Sequence, residues 1–380
     1  MKIHDIELRL ICRDVDALRS IMLALPSHKL SGFLSLALFP TISFVTQESH
    51  NYFVSRKLEN ASSPLFDTYQ SAIKKSRALL KLIDDTDGGS NGLLKFLNLF
   101  QEKSLLWMNA GKSGLIGSIS KLFQPDIGIY FLDEDPIYMT TVGFSVTGKV
   151  KSEIESLSDG DFKDIPQQTR SFGFAIGEYF AAIQGLMSLC GISSHYESPT
   201  AIPSDLNITH NDFHSEKLYK RIARQANLKE AHVAPVLFFI LSQVNIAYLL
   251  LPRLFPSTSN LLFRIQFLTA YHATSSLLEI QDGIDHELAH LLSRENILSL
   301  VPNARKVRNV LAHYGLGEGK KYVTASSDAL DEVIKGLSGI SRTELAEASR
   351  NQLREISAWT RSKFSKTQFK NIRALLGDHT

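Results

Sequence analysis

VAPVLFFILSQVNIAYLLL, residues 233–251, is the stretch that decides the fold. It is about as long as the roughly 20 apolar residues that a helix needs to cross a membrane. Gln243 and Asn245 lie near its centre, however, and Pro252 follows its end. Neighbouring helices of a bundle supply partners for such polar side chains, whereas lipid does not. We therefore predict a buried core helix of a protein that does not enter a membrane, with a membrane-spanning helix as the alternative.

Helical periodicity continues from this segment toward the C-terminus, and no convincing strand pattern occurs after residue 215. Apolar residues recur there at the three- and four-residue spacing of helices with one buried face. The helical patterns cover residues 216–229, 233–251, 259–281, 284–300, 303–314 and 327–375. Residues 216–380 are therefore predicted to form an all-α helical bundle.

The first half of the chain mixes strand and helix patterns. Apolar residues alternate in IELRLIC, and two apolar runs flank DEDP as in a β-hairpin. In chain order, strands are predicted at 6–12, 34–45, 127–132 and 137–146, and helices at 14–26, 64–83 and 168–190. Residues 191–215 are rich in Ser, Pro, Asn and His, so we predict a linker there. The predicted fold class is an α+β region, 1–190, that senses a trigger or selects a substrate, followed by the helical bundle.

Composition narrows the class of protein but not its function. Hydrophobic residues make up 44% of the chain and charged residues 21%, which is typical of a globular protein and not of a disordered or fibrous one. The formal charge of +2 means that a nucleic acid would have to be held by a local basic patch. Cys12 and Cys190 form no disulfide framework or C-x-x-C motif, and the N-terminus does not resemble a signal peptide. We therefore predict a cytoplasmic location.

RNVLAHYG, residues 308–315, places an arginine, an asparagine and a histidine near the end of a predicted helix. Pro302 suits the first turn of that helix, and Gly315 suits the position just past its end. At about 100° per residue, the helix has two faces. One face carries Val307, Val310, Leu311 and Tyr314, and the other carries Arg305, Lys306, Arg308, Asn309 and His313. We predict that the first face packs and that the second presents polar chemistry.

The polar face of this helix contains the groups needed to cut RNA. A guanidinium stabilises charge on phosphoryl oxygens, an imidazole exchanges a proton near neutral pH, and an amide orients the imidazole. The neighbouring 2′-hydroxyl of the RNA would attack the phosphorus, and no metal would be needed. The alternative is an ordinary amphipathic helix, whose last turn carries cations because they suit a helix C-terminus.

Arg308 to Tyr314, R-N-V-L-A-H-Y, resembles the R-x-x-x-x-H signature of the HEPN family of helical ribonuclease domains, in which asparagine often follows the arginine. The resemblance covers the C-terminal part only and implies a HEPN-like bundle that pairs as a homodimer, with the two motifs facing each other. It further implies a metal-independent endoribonuclease without a cofactor, acting in a toxin–antitoxin or phage-defence system, with RNA and a cognate antitoxin or regulatory protein as partners.

By this resemblance, Arg308 and His313 would be the catalytic pair and Asn309 their polar partner. Arg305 and Lys306, on the same face, would contact the RNA substrate. Some HEPN domains have lost catalysis and only bind partners. A non-catalytic HEPN-like binding or regulatory module is therefore a second hypothesis.

HELAH, residues 286–290, is a rival motif on the preceding helix. H-E-x-x-H puts two histidines on one helical face, with a glutamate as general base, in zinc metalloproteases. The third hypothesis is accordingly a zinc protease that uses His286, Glu287 and His290. A third protein ligand at the usual spacing does not follow in the sequence, and an exposed helix face without a metal explains the pattern equally well.

Overall fold

The computed structural model describes residues 3–57, 64–81, 127–140, 165–192, 202–229, 233–280, 286–293, 296–324, 328–367 and 369. This part of the chain is mostly helical and contains one small three-stranded antiparallel sheet. The helices of the first half are α1 Ile3–Ala24, α2 Ser31–Ser55, α3 Pro64–Ala78 and α4 Ile165–Leu189. Those of the second half are α5 Ser215–Gln225, α6 Ala234–Asn245, α7 Leu251–Leu254, α8 Asn260–Glu279, α9 His286–Ser293, α10 Ile297–Leu300, α11 Ala304–Ala312, α12 Ala329–Ser338 and α13 Arg342–Phe364.

Two predicted strands near the N-terminus are wrong, because residues 6–12 belong to α1 and residues 34–45 to α2. The seven residues of IELRLIC are too short a sample to separate alternation from the helical spacing that buries Leu8, Ile11 and Val15. The error at α2 has a different cause. Every residue from 37 to 49 is buried, so the helix has no polar face and its sequence shows no helical period.

The predicted helices after α2 are confirmed in the described residues. The patterns at 64–83 and 168–190 correspond to α3 and α4, and those after residue 215 correspond to α5 through α13. The long pattern at 327–375 is divided into α12 and α13 at Gly339, which has a φ of 76°. Glycine adopts this left-handed conformation without steric cost, so it ends α12 and turns the chain into α13.

The sheet consists of β1 Ile127–Leu132, β2 Asp135–Met139 and β3 Ile208–Phe213, in the order β2–β1–β3. The hairpin predicted around DEDP is confirmed as β1 and β2, while residues 141–146 of its predicted second strand lie outside the described residues. Strand β3 was not predicted and lies within the predicted linker, where it pairs with the whole of β1.

One hydrophobic core contains side chains from both halves of the chain, from Ile6 to Phe369. Helix α6 lies at its centre and contacts α8, α13 and β2. Asn245, a polar residue of the opening segment, is fully buried, and its Nδ2 atom donates a hydrogen bond to the carbonyl oxygen of Pro136 at 2.7 Å. The bundle and sheet thus supply the polar partner that lipid lacks. The division into domains 1–190 and 216–380 stays a prediction.

Two helical segments of the described chain, Arg170–Leu189 and Ala234–Leu254, are long and apolar enough to cross a membrane. The apolar window is 89% buried inside the protein in the second segment and 33% buried in the first. A mostly buried helix of this kind is common in the core of proteins that never enter a membrane. The burial of the second segment agrees with the predicted core helix.

The two cysteines differ in their surroundings, which makes a simple labelling experiment informative. Cys12 on α1 is buried, and burial together with the nearby Asp16 carboxylate raises the pKa of its thiol to about 12. Since the thiolate is the reactive form, Cys12 should resist alkylation at pH 8, whereas exposed Cys190 should react. We expect iodoacetamide to modify Cys190 alone in the folded protein, as measured by peptide mass spectrometry. Equal labelling of both cysteines before unfolding would contradict the position of Cys12.

Candidate functional site

Helix α11 carries most of the motif and divides it into a packed face and an open face, as predicted. Val307, Val310 and Leu311 are buried, while Arg305, Lys306 and Asn309 are exposed. The helix ends at Ala312, two residues before the predicted end at 314, and His313 is extended with φ −130° and ψ 158°. His313 therefore does not continue the helical stripe of Asn309, and its direction is set by the turn that follows the helix.

A buried ion pair holds the end of the motif in place. Arg264 of α8 pairs with Asp14 of α1, and its Nε atom donates to the carbonyl oxygen of Leu311 at 2.8 Å. The hydroxyl of Tyr314 donates to Asp14 at 2.9 Å. Burial raises the pKa of Asp14, an effect that the adjacent Arg264 guanidinium opposes. The residues on both sides of His313 are thus fixed to α1 and α8. Of these two helices, only α8 was predicted to belong to the same bundle as the motif.

His313 is held by a carboxylate from the first half of the chain. Its Nδ1 atom lies 2.6 Å from Oε2 of Glu48 on α2. The Glu48 side chain is 1% exposed and also pairs with Arg77 of α3, whereas the His313 side chain is 50% exposed. A carboxylate on one ring nitrogen fixes the orientation and tautomer of an imidazole. The other nitrogen, Nε2, forms no hydrogen bond with a described residue and is available to a ligand.

Arg308 is connected to this site through Asn309. An Nη atom of Arg308 donates to Oδ1 of Asn309 at 3.0 Å, and the guanidinium lies over the ring of Tyr271, 5.5 Å from its centre. Within the described chain, the Nε atom of Arg308 is buried and lacks a hydrogen-bond partner. Buried hydrogen-bond donors normally have a partner, and this nitrogen is an exception to that rule.

Two grooves meet at His313. The smaller, about 240 Å³ in volume, is lined by Lys306, Asn309 and His313 together with Glu318, which pairs with Lys306 at 3.2 Å. The structure therefore brings Asn309, His313 and Lys306 together. Arg308 reaches this group only through Asn309, and Arg305 is exposed on the helix without lining either groove.

The second groove, about 410 Å³ in volume, lies on the other side of His313 and contains cations that were not predicted. Arg56, which directly follows α2, and Lys320 line it, and both pair with the buried carboxylate of Glu7, at 2.8 and 3.2 Å. The amide of Leu316 also donates to Glu7, at 3.1 Å. Glu7 thus links α1 and α2 to the loop that follows the motif and places two positive charges beside the imidazole.

Glu7 and Glu48 are the residues that sequence reasoning missed. Glu7 lies in a segment that was predicted as a strand, and Glu48 lies just after another such segment. The side to which either side chain points was therefore not considered. No signal in the sequence marked them, because Glu7 lies between the charged residues Asp5 and Arg9, and Glu48 lies between the polar residues Gln47 and Ser49. Buried carboxylates require a cationic or hydrogen-bonding partner, and such a partner must come from elsewhere in the chain.

HELAH lies on the short helix α9, with His286, Glu287 and His290 exposed. Glu287 pairs with Lys363 of α13 at 3.0 Å. Among the described residues, which leave out 281–285 and 294–295, no group of three His, Cys, Asp or Glu side chains is placed to hold a metal ion. The geometry therefore adds nothing in favour of the zinc-protease hypothesis.

Comparison with known proteins adds no relative from which a function could be transferred. No protein-family model, no curated protein and no solved structure matches this chain. Since one fold can host many unrelated functions, the function has to be argued from the site itself. The strongest site in the described chain is the pair of grooves around His313 and its Glu48 partner.

Proposed function

We propose that the protein is a metal-independent endoribonuclease of the HEPN type, acting as a homodimer in the cytoplasm as a toxin or anti-phage effector. The observation that carries the proposal is the His313 side chain, half exposed between two grooves, with Nδ1 bound to a buried carboxylate. An exposed surface histidine has no need of such a partner. A histidine that must present one nitrogen in one protonation state does need it.

In the proposed reaction, Nε2 of His313 accepts the proton of a ribose 2′-hydroxyl. The 2′-oxygen then forms a bond to the adjacent phosphorus while the bond from phosphorus to the 5′-oxygen breaks. The products are a 2′,3′-cyclic phosphate and a 5′-hydroxyl end, whose proton comes from the imidazolium or from the second motif of the dimer. Glu48 stabilises the imidazolium, as the carboxylate of a catalytic triad does.

Arg308 is proposed to stabilise the charge that develops on the phosphoryl oxygens. One of its Nη atoms donates to Asn309 and its Nε atom is buried, so a phosphate would be bound by the remaining Nη donors. Charge-assisted hydrogen bonds to a phosphate would satisfy such donors. The hydrogen bond to Asn309, which lines the smaller groove with His313, would hold the guanidinium toward that groove.

The remaining cations near the grooves would hold the RNA backbone. Lys306 lines the smaller groove, Arg305 precedes it on the exposed face, and Arg56 and Lys320 line the larger groove. Cations that neutralise phosphates release counterions, so binding weakens as salt is added. A local cluster of this kind is what a chain with a formal charge of only +2 requires to bind RNA.

The proposal is tested by incubating the purified full chain with single-stranded RNA in the presence of EDTA. We expect cleavage with chelator present, and a loss of about 100-fold or more for His313→Ala and for Arg308→Ala, because each removes one catalytic group. His290→Ala, a histidine exposed on α9, should cleave at the wild-type rate and serves as the matched control.

Three outcomes would contradict parts of this proposal. Wild-type activity in either motif variant would remove that residue from the catalytic site. Cleavage that stops when metal is chelated would rule out the metal-independent reaction. RNA binding without cleavage, in a protein whose size in solution is that of a dimer, would instead support the non-catalytic HEPN-like module.

A further inference from the structure

A separate cavity of about 350 Å³ lies between α1, the beginning of α8 and the beginning of α13. Arg9 and Arg13 of α1, Asn260 of α8 and Arg342 of α13 line it, together with Ser and Thr residues of the segment 254–259. None of the residues that line the two grooves at His313 belongs to it. Its volume lies within the range of pockets that bind small molecules.

The cavity is positively charged. Arg9 and Arg13 are one helical turn apart and exposed, and neither forms an ion pair or hydrogen bond with a described residue. Arg342 pairs only distantly with Asp328, at 3.7 Å. The one carboxylate in the lining, Asp16, already accepts a hydrogen bond from Gln184 at 2.5 Å. Two like charges four residues apart on a helix repel each other, and an anion between them would remove that repulsion.

Asn260 adds to the lining a polar side chain that no described residue binds. It is the first residue of the 20-residue helix α8 and is only 8% exposed. Its side-chain amide forms no hydrogen bond with a described residue and, since its polar atoms are not sealed from solvent, it is open to the cavity. Ser259 caps the helix by accepting a hydrogen bond from the amide of Leu262, so Asn260 is not needed for capping.

We propose that this cavity binds a small ligand through two or more phosphate groups, as in a nucleoside diphosphate. The three guanidinium groups offer paired donors to phosphate oxygens, and the Asn260 amide offers one more. The N-terminus of α8 adds a favourable dipole for an anion. A single phosphate would leave part of this donor set unused, whereas a diphosphate can contact both α1 and α8.

A ligand in this position would bridge the two helices that hold the motif. Asp14 of α1 lies next to Arg13, and Arg264 of α8 lies one turn after Asn260. These two residues form the ion pair that fixes Leu311 and Tyr314. Binding would also stabilise the folded protein, because a ligand that binds only the native state raises its stability with the logarithm of ligand concentration above the Kd.

The proposal is tested by calorimetric titration of the full chain with pyrophosphate and, separately, with ADP. We expect both to bind, and Arg13→Ala and Asn260→Asp each to weaken binding about 10–100-fold, because each removes or repels a charge-assisted contact. Arg13 is exposed, and aspartate is favoured in the first turn of a helix, so both variants should fold. Arg354→Ala, an exposed arginine on α13, is the matched control and should bind as the wild type does.

The two ligands also distinguish the source of the phosphates. Tighter binding of ADP than of pyrophosphate would show that a nucleotide is recognised, and equal binding would show that the phosphates alone are. Absence of binding by both at millimolar concentration, or equal binding by Arg13→Ala and wild type, would overturn the proposal. Neither result would affect the nuclease assignment, which depends on cleavage and on residues outside this cavity.

Discussion

Replacing Glu48 with glutamine should lower the kcat of RNA cleavage by roughly 10³–10⁴-fold, as the corresponding change does in a catalytic triad. The amide can present a donor to Nδ1 of His313, which would stabilise the wrong tautomer, and it carries no charge to stabilise the imidazolium. Glu48 is buried beneath the imidazole and should not contact RNA, so the KM should change little. The measurement is a steady-state cleavage assay over a range of RNA concentrations.

Glu48 also pairs with Arg77, so a loss of activity has to be separated from a loss of structure. Ser49→Ala is a suitable control, because Ser49 is also buried on α2 and contacts the Tyr179 hydroxyl at 3.0 Å. This variant should lose some stability and keep its activity. Glu48→Asp should recover part of the kcat. A Glu48→Gln protein that is folded and cleaves RNA as fast as wild type would contradict the positioning role of Glu48.

The sequence predicts the elements of the bundle better than it predicts the site. The segment 233–251 is recognisable because Gln243 and Asn245 interrupt an apolar run, and the structure buries it at the centre of the core. Helix α2 is not recognisable, because burial on all sides removes the periodicity on which the prediction depends. Misreading that helix as strand also concealed Glu48, which lies on it.

The candidate site could be predicted only in part. The polar face of α11 was apparent from spacing, since its register is local. The direction of His313 was not, because the helix ends one residue before it. Its partner Glu48 lies 265 residues away in sequence, and no pattern within one segment records such a contact. The hydrogen bond from Arg308 to Asn309 was also not apparent from spacing, because it depends on side-chain conformation.

Arg264→Ala should lower the free energy of unfolding by about 3–5 kcal/mol, because it leaves the Asp14 carboxylate buried without its cation. The two side chains are 4% and 1% exposed. The guanidinium also lies over the rings of Phe44 and Tyr314, 4.9 and 4.3 Å from their centres, so packing is lost as well. The measurement is urea unfolding followed by circular dichroism.

Arg253→Ala is the matched control, since Arg253 pairs with Asp133 at 3.1 Å with both side chains more than 40% exposed. An exposed pair contributes about 0–1 kcal/mol, so this variant should unfold nearly as the wild type does. Similar losses in the two variants would contradict the central place given to the Asp14–Arg264 pair.

A double variant separates the contribution of this ion pair to stability from the destabilisation caused by leaving one buried charge unpaired. Replacing both partners, as in Asp14→Leu with Arg264→Met, should restore much of the stability lost in Arg264→Ala, because no buried charge remains. The same double variant should still lose RNA cleavage, because the carbonyl of Leu311 and the hydroxyl of Tyr314 no longer have their partners beside His313. A stable double variant that cleaves normally would show that the pair serves folding alone. A stable double variant without cleavage would show that a buried charge is retained here to position the end of the motif.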